Sequence, residues 1–282
     1  MNYASKILTY LADGDRPSQV LLVAGAPPVE KFGEELKIAF NSLLTPDDIR
    51  DTLNTFSSHV RRDIASDLGG AGVFSFGMPG VGRFRVHYMT QRGSKIVTIQ
   101  RMPFDIPRLA ALLDDGAQLS LARGLVGPSG GGIVLITGHV SAALASLAYA
   151  LLCHANDTRK TVICICEENL SFTLKHGSSV VIQTEVGTDS PSMIEALESS
   201  SFLNPGILYV REPRTRAEFL LLSEAAETGA LVIVSLPSRD EAKFQEDLRA
   251  RLKDDYALVH SCLLKTVWVT AGAGGKIGLR VL

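Results

Sequence analysis

The sequence predicts a two-domain protein in which a small α+β domain precedes a larger α/β domain. From residue 133 onward, short apolar segments alternate with helix-like segments, which is typical of a largely parallel sheet covered by helices on both faces. Before that point, strand-like segments follow one another directly, which is typical of antiparallel pairing. We therefore place the first domain at residues 1–105, a linker at 106–132 and the second domain at 133–282.

The first domain is predicted to combine helices with antiparallel strands. An amphipathic segment predicts a helix over residues 3–12. Thr45, followed by Asp47 and Asp48, indicates a helix start, because a hydroxyl can accept a backbone hydrogen bond and acidic residues favour a helix N-terminus. Predicted strands cover residues 19–24, 72–76, 82–88 and 94–100, and a helix at 106–113 leads toward the second domain.

The second domain is predicted to be a strand–helix repeat that ends in a hairpin. Predicted strands cover residues 133–137, 161–166, 179–183, 207–211 and 231–236. Predicted helices cover residues 141–152, 191–201 and 215–228. Residues 259–282 predict a hairpin around the sequence AGAGG.

The composition excludes several classes of function. The chain has 282 residues, of which 46% are hydrophobic and 21% charged, as in ordinary globular proteins. A formal net charge of −2 gives no electrostatic reason to expect nucleic acid as a partner. No apolar run approaches the roughly 20 residues that span a bilayer. The four cysteines lack metal-site spacing, so we expect no metal centre, buried thiols and a cytoplasmic location.

The start of the second domain has the order strand, glycine, helix, which is where a G-x-x-x-x-G-K-S/T phosphate loop would lie. Counting from Gly138, the second glycine is replaced by Ala143, the lysine by Leu144 and the hydroxyl residue by Ala145. Leucine cannot neutralise phosphate and alanine cannot bind Mg²⁺. The strand–glycine–helix arrangement is therefore present without the lysine and the hydroxyl that bind phosphate and Mg²⁺.

Some polar groups remain near this loop. Ser141 and Ser146 keep hydroxyls close to the helix N-terminus, where weak anion binding is conceivable. Glu167 and Glu168 close the strand TVICIC, where they would either align water and Mg²⁺ or form a solvated strand end. Glu212 lies at the end of another predicted strand. It is either a general base or the ion-pair partner of a neighbouring arginine. Ser141 has no His–Asp arrangement around it, so a hydrolase triad is unsupported.

Several motifs, in order along nearly the whole chain, resemble those of the type IV pilus retraction ATPases (PilT-like), within the motor superfamily of type II and type IV systems. The similar segments, with the family's versions in parentheses, are VLLVAGAPP (DLHLSAGxPP), MPGVGRFRV (PGxxRFRVN), TIQRMP (FRTIP), CEENLSF (IEDPIEF), NPGILYVREPR (DPDIILVGEMRD) and SEAAETGALVIVSLPS (TAAETGHLVFGTLHT).

This resemblance implies a RecA-like P-loop-type domain preceded by a PAS-like α+β domain. It implies an ATP-binding role for the relic positions Gly138, Ser141, Ser146, Glu167 and Glu168, and a Walker B role for Glu212. It also implies that Arg83, Arg85 and Arg101 point toward the nucleotide of a neighbouring subunit in the assembled ring. A subunit contact or the polar face of a strand is the alternative for these arginines.

The departures from the family suggest that the chemistry has been lost. Besides Leu144 and Ala145, Arg211 replaces the glycine before the Walker B glutamate and Pro237 replaces the histidine of LHT. The helices that follow the last core strands in the family have no counterpart before Leu282. Weak binding of ATP, ADP or Mg²⁺ stays open, but no cofactor is expected.

Three hypotheses follow. The first is a non-hydrolysing pseudo-ATPase acting in assembly or regulation, as a homo-oligomer (a hexamer in the family) or with an active motor paralogue or an inner-membrane platform protein. Peripheral attachment at the inner membrane is then an alternative to a free cytoplasmic location. The second is an active ATPase with a non-standard loop, and the third is a domain that binds another ligand in the old pocket.

Overall fold

The computed structural model describes residues 2–13, 19–32, 35–60, 70–78, 81–102, 105–127 and 130–282. The chain divides into two compact units, Met1–Phe104 and Asp105–Leu282. Each unit has its own sheet and its own buried core.

The first unit is a six-stranded antiparallel sheet in the order β3-β2-β1-β6-β5-β4. Its strands are β1 (Gln19–Leu22), β2 (Val29–Phe32), β3 (Glu35–Ile38), β4 (Gly72–Met78), β5 (Gly82–Gln91) and β6 (Ser94–Arg101), and its helices are α1 (Ala4–Asp13) and α2 (Pro46–Ser57).

Both helices contribute to one core with the sheet. Alternate residues of β5, Phe84, Val86 and Tyr88, are buried in the cluster that includes the apolar residues of α1 and α2. Thr45 caps α2 at the helix start that the sequence predicted, and the side chains of Thr45 and Asp48 form a reciprocal capping box. The sheet therefore presents one face to the helices.

The second unit is a seven-stranded sheet in the order β13-β12-β7-β11-β10-β8-β9, parallel except for the β12–β13 pair. Its strands are β7 (Gly132–Gly138), β8 (Val162–Glu167), β9 (Val180–Glu185), β10 (Ile207–Arg211), β11 (Leu231–Pro237), β12 (Leu263–Ala271) and β13 (Ile277–Val281). Its helices are α3 (Leu109–Leu112), α4 (Gly116–Leu125), α5 (Ser141–Thr158), α6 (Met193–Ser201), α7 (Arg216–Glu227), α8 (Phe244–Leu252) and α9 (Tyr256–Ser261).

The predicted fold class is confirmed, and β7 to β11 lie close to their predicted positions. The prediction missed the β2–β3 hairpin, α4, α8 and α9. Residues 106–132, predicted as a linker, contain α3 and α4, which pack on α5. The predicted hairpin at 259–282 begins later, because residues 256–261 form α9. Within the described residues, no helix is long and apolar enough to cross a membrane.

Candidate functional site

The site lies at the carboxyl ends of the central parallel strands. Gly138 is the last residue of β7, Glu167 of β8 and Arg211 of β10, and α5 begins at Ser141. Because carboxyl ends of parallel strands meet at one edge of a sheet, the chain brings these residues together there. This edge is where open α/β sheets usually bind ligands.

Gly138 is required by strand packing. It pairs with Val269 of β12, and a Cβ atom at Gly138 would lie 2.3 Å from the Val269 carbonyl oxygen. The next residue, His139, contacts the Trp268 ring edge-on at 5.1 Å between centroids. The glycine at the start of the loop is therefore explained without any phosphate.

Apolar side chains fill the positions of the missing loop residues. Leu144 and Ala145 are both buried on α5. Ser146 is half-buried on the same helix. The lysine position thus belongs to the core, where burying an ammonium group without a partner would be costly.

Arg211 places a guanidinium beside the first residue of α5. Its Nη2 donates to Ser141 Oγ at 2.7 Å, and its Nη1 donates to Ser171 Oγ at 2.9 Å. Its Nε lies 3.3 Å from Glu212 Oε1. Ser141 Oγ donates in turn to the same Glu212 oxygen at 2.8 Å. A positive charge and its counter-charge, both supplied by the chain, therefore lie at the N-terminus of α5.

Glu167 extends this network into the interior. The Ser171 hydroxyl donates to Glu167 Oε1 at 2.8 Å, while Ser171 N and Tyr149 Oη donate to Oε2 at 2.8 and 2.6 Å. Burial raises the pKa of Glu167 above its usual range, although these hydrogen bonds and the Arg211 charge act in the opposite direction. Burial and the nearby Glu167 carboxylate raise the pKa of Tyr149 well above normal, so Tyr149 stays a donor.

Gln183 and the candidate residue Glu168 lie beside this network. Gln183, on β9, donates to Tyr149 Oη at 3.2 Å. Glu168 accepts a hydrogen bond from Arg214 at 2.6 Å, on the exposed side of the strand end. The structure therefore joins Ser141, Glu167 and Glu212 through Arg211, and gives Glu168 a separate partner.

The backbone of Glu212 is strained. Its φ is +54°, in the left-handed region that residues other than glycine seldom adopt. Its N–H donates to the Ser235 carbonyl at 2.8 Å, which fixes this conformation against β11. Such strain, of order 1–3 kcal/mol, concentrates at functional sites.

Comparisons with known proteins point to one family. The chain is 26% identical over 220 residues to the type IV pilus ATPase PilU of Pseudomonas aeruginosa, covering 78% of this chain and 56% of PilU. It is 31% identical over 170 residues to the type IV pilus retraction ATPase PilT of the same organism, covering 60% of this chain and 48% of PilT. A crystal structure of the pilus retraction motor PilT with bound ADP superposes with a TM-score of 0.82 at 25% identity, covering 100% of this chain and 82% of that one.

The chain is similar in sequence and in fold to PilT-like proteins. The similarity in sequence and in fold runs through both units, as the resemblance of the motifs predicted. No family model matches the chain. It spans about half the length of the curated relatives it matches.

The PilT-like resemblance also singled out Arg83, Arg85 and Arg101 in the first unit. Arg83 and Arg85 lie on the face of β5 opposite the helices, and Arg85 is only 9% exposed. Arg101 is on the other face, since it pairs with Phe84 and donates to the Ala12 carbonyl at 2.8 Å. The three arginines therefore do not form one surface.

Sequence reasoning missed Ser171 and Tyr149. Ser171 lies in an irregular segment between β8 and β9, where no periodicity places a side chain. Tyr149 lies in an apolar helix, where an aromatic residue usually indicates core packing. Arg211 was noticed only as a departure from the family motif, and its contacts depend on the path of that irregular segment.

Proposed function

We propose that this PilT-like chain is a non-hydrolysing member of its family that acts in the assembly or regulation of a type IV pilus or type II secretion-related system. Its role would depend on protein–protein contacts, with no turnover of ATP. Both relatives named above are described as ATPases, so the proposal rests on the residues that differ at the site.

The observation that carries the proposal is the position of the Arg211 guanidinium. A working phosphate loop presents positive charge at the helix N-terminus to bind phosphate, and a hydroxyl there holds Mg²⁺. Here the charge at this place is already engaged by Glu212 and by two serine hydroxyls. A phosphate group would have to break these contacts, and the hydroxyl residue of the loop is replaced by buried Ala145.

A second function is favoured by the same arginine. A guanidinium close to Ser141 could replace the missing lysine as the phosphate-binding cation, with the strained Glu212 as the general base. The chain would then be an active ATPase with a non-standard loop. This alternative lacks the Mg²⁺ ligand that the loop normally supplies.

Calorimetric titration with Mg-ATP and Mg-ADP separates the two functions. The proposal expects no binding heat for either nucleotide, and ATP hydrolysis no faster than that of a Glu212→Ala variant. An active family motor, assayed in parallel, shows that the conditions support turnover. Turnover by this chain that disappears on Glu212→Ala would establish the second function instead.

The partners we propose are those implied by the family: other copies of the chain, an active motor paralogue or an inner-membrane platform protein. Light scattering of the chain alone and mixed with an active PilT-like motor tests this proposal. A larger complex in either sample supports it. A monomer throughout, with no platform or motor protein recovered in pull-downs, would refute it.

A further inference from the structure

A long irregular loop, residues 168–179, connects β8 to β9. The structure describes all of these residues, and none of them lies in a helix or a strand. Leu170 and Leu174 of the loop are nevertheless buried. Because an irregular segment has no regular ladder of its own, other groups of the chain must bind its buried backbone N–H and C=O groups. The contacts of the β8–β9 loop therefore show what fixes its conformation.

Side chains of β9 and α5 bind the second half of the β8–β9 loop. The Gln183 side chain accepts a hydrogen bond from the Leu174 N–H at 2.8 Å and donates to the Phe172 carbonyl at 2.9 Å. Asn156, in the last turn of α5, donates to the Lys175 carbonyl at 2.9 Å. This half of the loop is therefore attached to a strand and to a helix.

The first half of the loop is bound through Ser171. Its N–H and its hydroxyl donate to the two carboxylate oxygens of Glu167, each at 2.8 Å. The same hydroxyl accepts a hydrogen bond from Arg211 Nη1 at 2.9 Å. Glu167 belongs to β8 and Arg211 to β10, so Ser171 is attached to the carboxyl ends of two neighbouring strands.

Arg211 extends this attachment to α5. Its second terminal nitrogen, Nη2, donates to Ser141 Oγ at 2.7 Å, and Ser141 is the first residue of that helix. A guanidinium holds its donors in a planar, rigid fork, so one side chain fixes the separation of the two serine hydroxyls. A lysine carries the same charge on a single nitrogen and cannot reproduce this fork.

We propose that Arg211 is a positioning residue that holds the β8–β9 loop to the N-terminus of α5 whether or not a nucleotide is present. The chain itself supplies every group in this Arg211 bridge, which runs from Ser141 through Arg211 to Ser171. The bridge rests on the proposed function in one respect: no nucleotide binds strongly enough to displace its contacts.

The bridge predicts slow amide exchange in the loop of the full-length chain. Hydrogen–deuterium exchange should show protection of the Ser171 and Leu174 N–H groups, which are bound by side chains. Arg211→Lys keeps the positive charge but loses one of the two serine contacts, so exchange in residues 168–174 should become about tenfold faster. A smaller change in β11, a central strand of the same unit, would show that the effect is local.

Addition of Mg-ATP separates the bridge from the proposed function. Exchange in the wild-type loop should be the same with and without Mg-ATP. Slower exchange with Mg-ATP would show that nucleotide binds, which counts against the proposed function. The comparison of wild type with Arg211→Lys, made without nucleotide, tests the bridge by itself.

Arg214→Lys is the matched control. Arg214 follows the same strand and donates to Glu168 at the start of the loop, but this ion pair is exposed and should contribute little. Exchange in the loop should therefore stay at the wild-type rate in this variant. Wild-type exchange in Arg211→Lys would overturn the proposal, and so would equal acceleration in the two variants.

Discussion

Arg211 lies between two carboxylates, contacting Glu212 directly and Glu167 through the Ser171 hydroxyl. Its planar fork satisfies two serine acceptors at once, which an ammonium group on a flexible stem would do less well. The arginine thus joins the start of α5 to the segment after β8 and to the end of β10. The polar groups of Arg211, Ser141, Ser171 and Glu212 therefore bind one another.

Replacing Arg211 with alanine should destabilise the protein. The variant leaves buried Glu167 without its compensating charge and removes two hydrogen bonds, a loss of about 1–3 kcal/mol in the free energy of unfolding. Urea denaturation measures this change. The matched control is Arg214→Ala, which removes an exposed ion pair with Glu168 and should cost less than about 1 kcal/mol. Equal losses in the two variants would show that the network adds nothing to stability.

The pairing of strands β7 and β12 depends on one glycine, Gly138. Gly138→Ala places a methyl group 2.3 Å from the Val269 carbonyl oxygen, a backbone atom that cannot rotate away. We expect a loss of about 1–3 kcal/mol, as for other overpacked sites. Gly130→Ala is the control, because an added Cβ there meets nothing within 4 Å. Differential scanning calorimetry compares the two, and similar melting temperatures would contradict the packing explanation.

The elements that the sequence predicted are those with a strong hydrophobic pattern. β7, β8, β10 and β11 are continuous apolar runs, and buried parallel strands require such runs. The β2–β3 hairpin was missed because its charged residues alternate with only a few apolar ones. α8 was missed because charged and polar residues dominate its sequence, FQEDLRARL, and it buries only Phe244, Leu248 and Leu252.

The sequence indicated which candidate residues lie at strand ends, but not how their side chains are connected by hydrogen bonds. Gly138, Glu167 and Glu212 were identifiable because they follow predicted strands, and strand ends converge at one edge. The link through Arg211 to Ser171 was not predictable, because it depends on the irregular segment after β8. Side-chain contacts across such segments are set by tertiary packing, which no local pattern encodes.

For the molecule as a whole, each unit should fold alone, since each has its own core. We predict that residues 105–282, expressed by themselves, unfold cooperatively when followed by circular dichroism. A fragment of residues 133–282 is the comparison. It lacks α3 and α4, whose buried residues Leu109, Leu112, Ala122 and Leu125 would no longer cover α5, so it should be less stable. Equal stability of the two fragments would support the prediction that residues 106–132 are a linker.

The guanidinium at the start of α5 is covalently part of the chain. A bound magnesium ion or nucleotide leaves its site when its concentration falls, but Arg211 stays attached to the chain. If the chain binds no nucleotide, as we propose, the local electric field at this edge of the sheet does not follow the ratio of ATP to ADP in the cell. The charge at this edge changes in a motor that binds and releases nucleotide, whereas under our proposal the Arg211 charge at this edge stays the same.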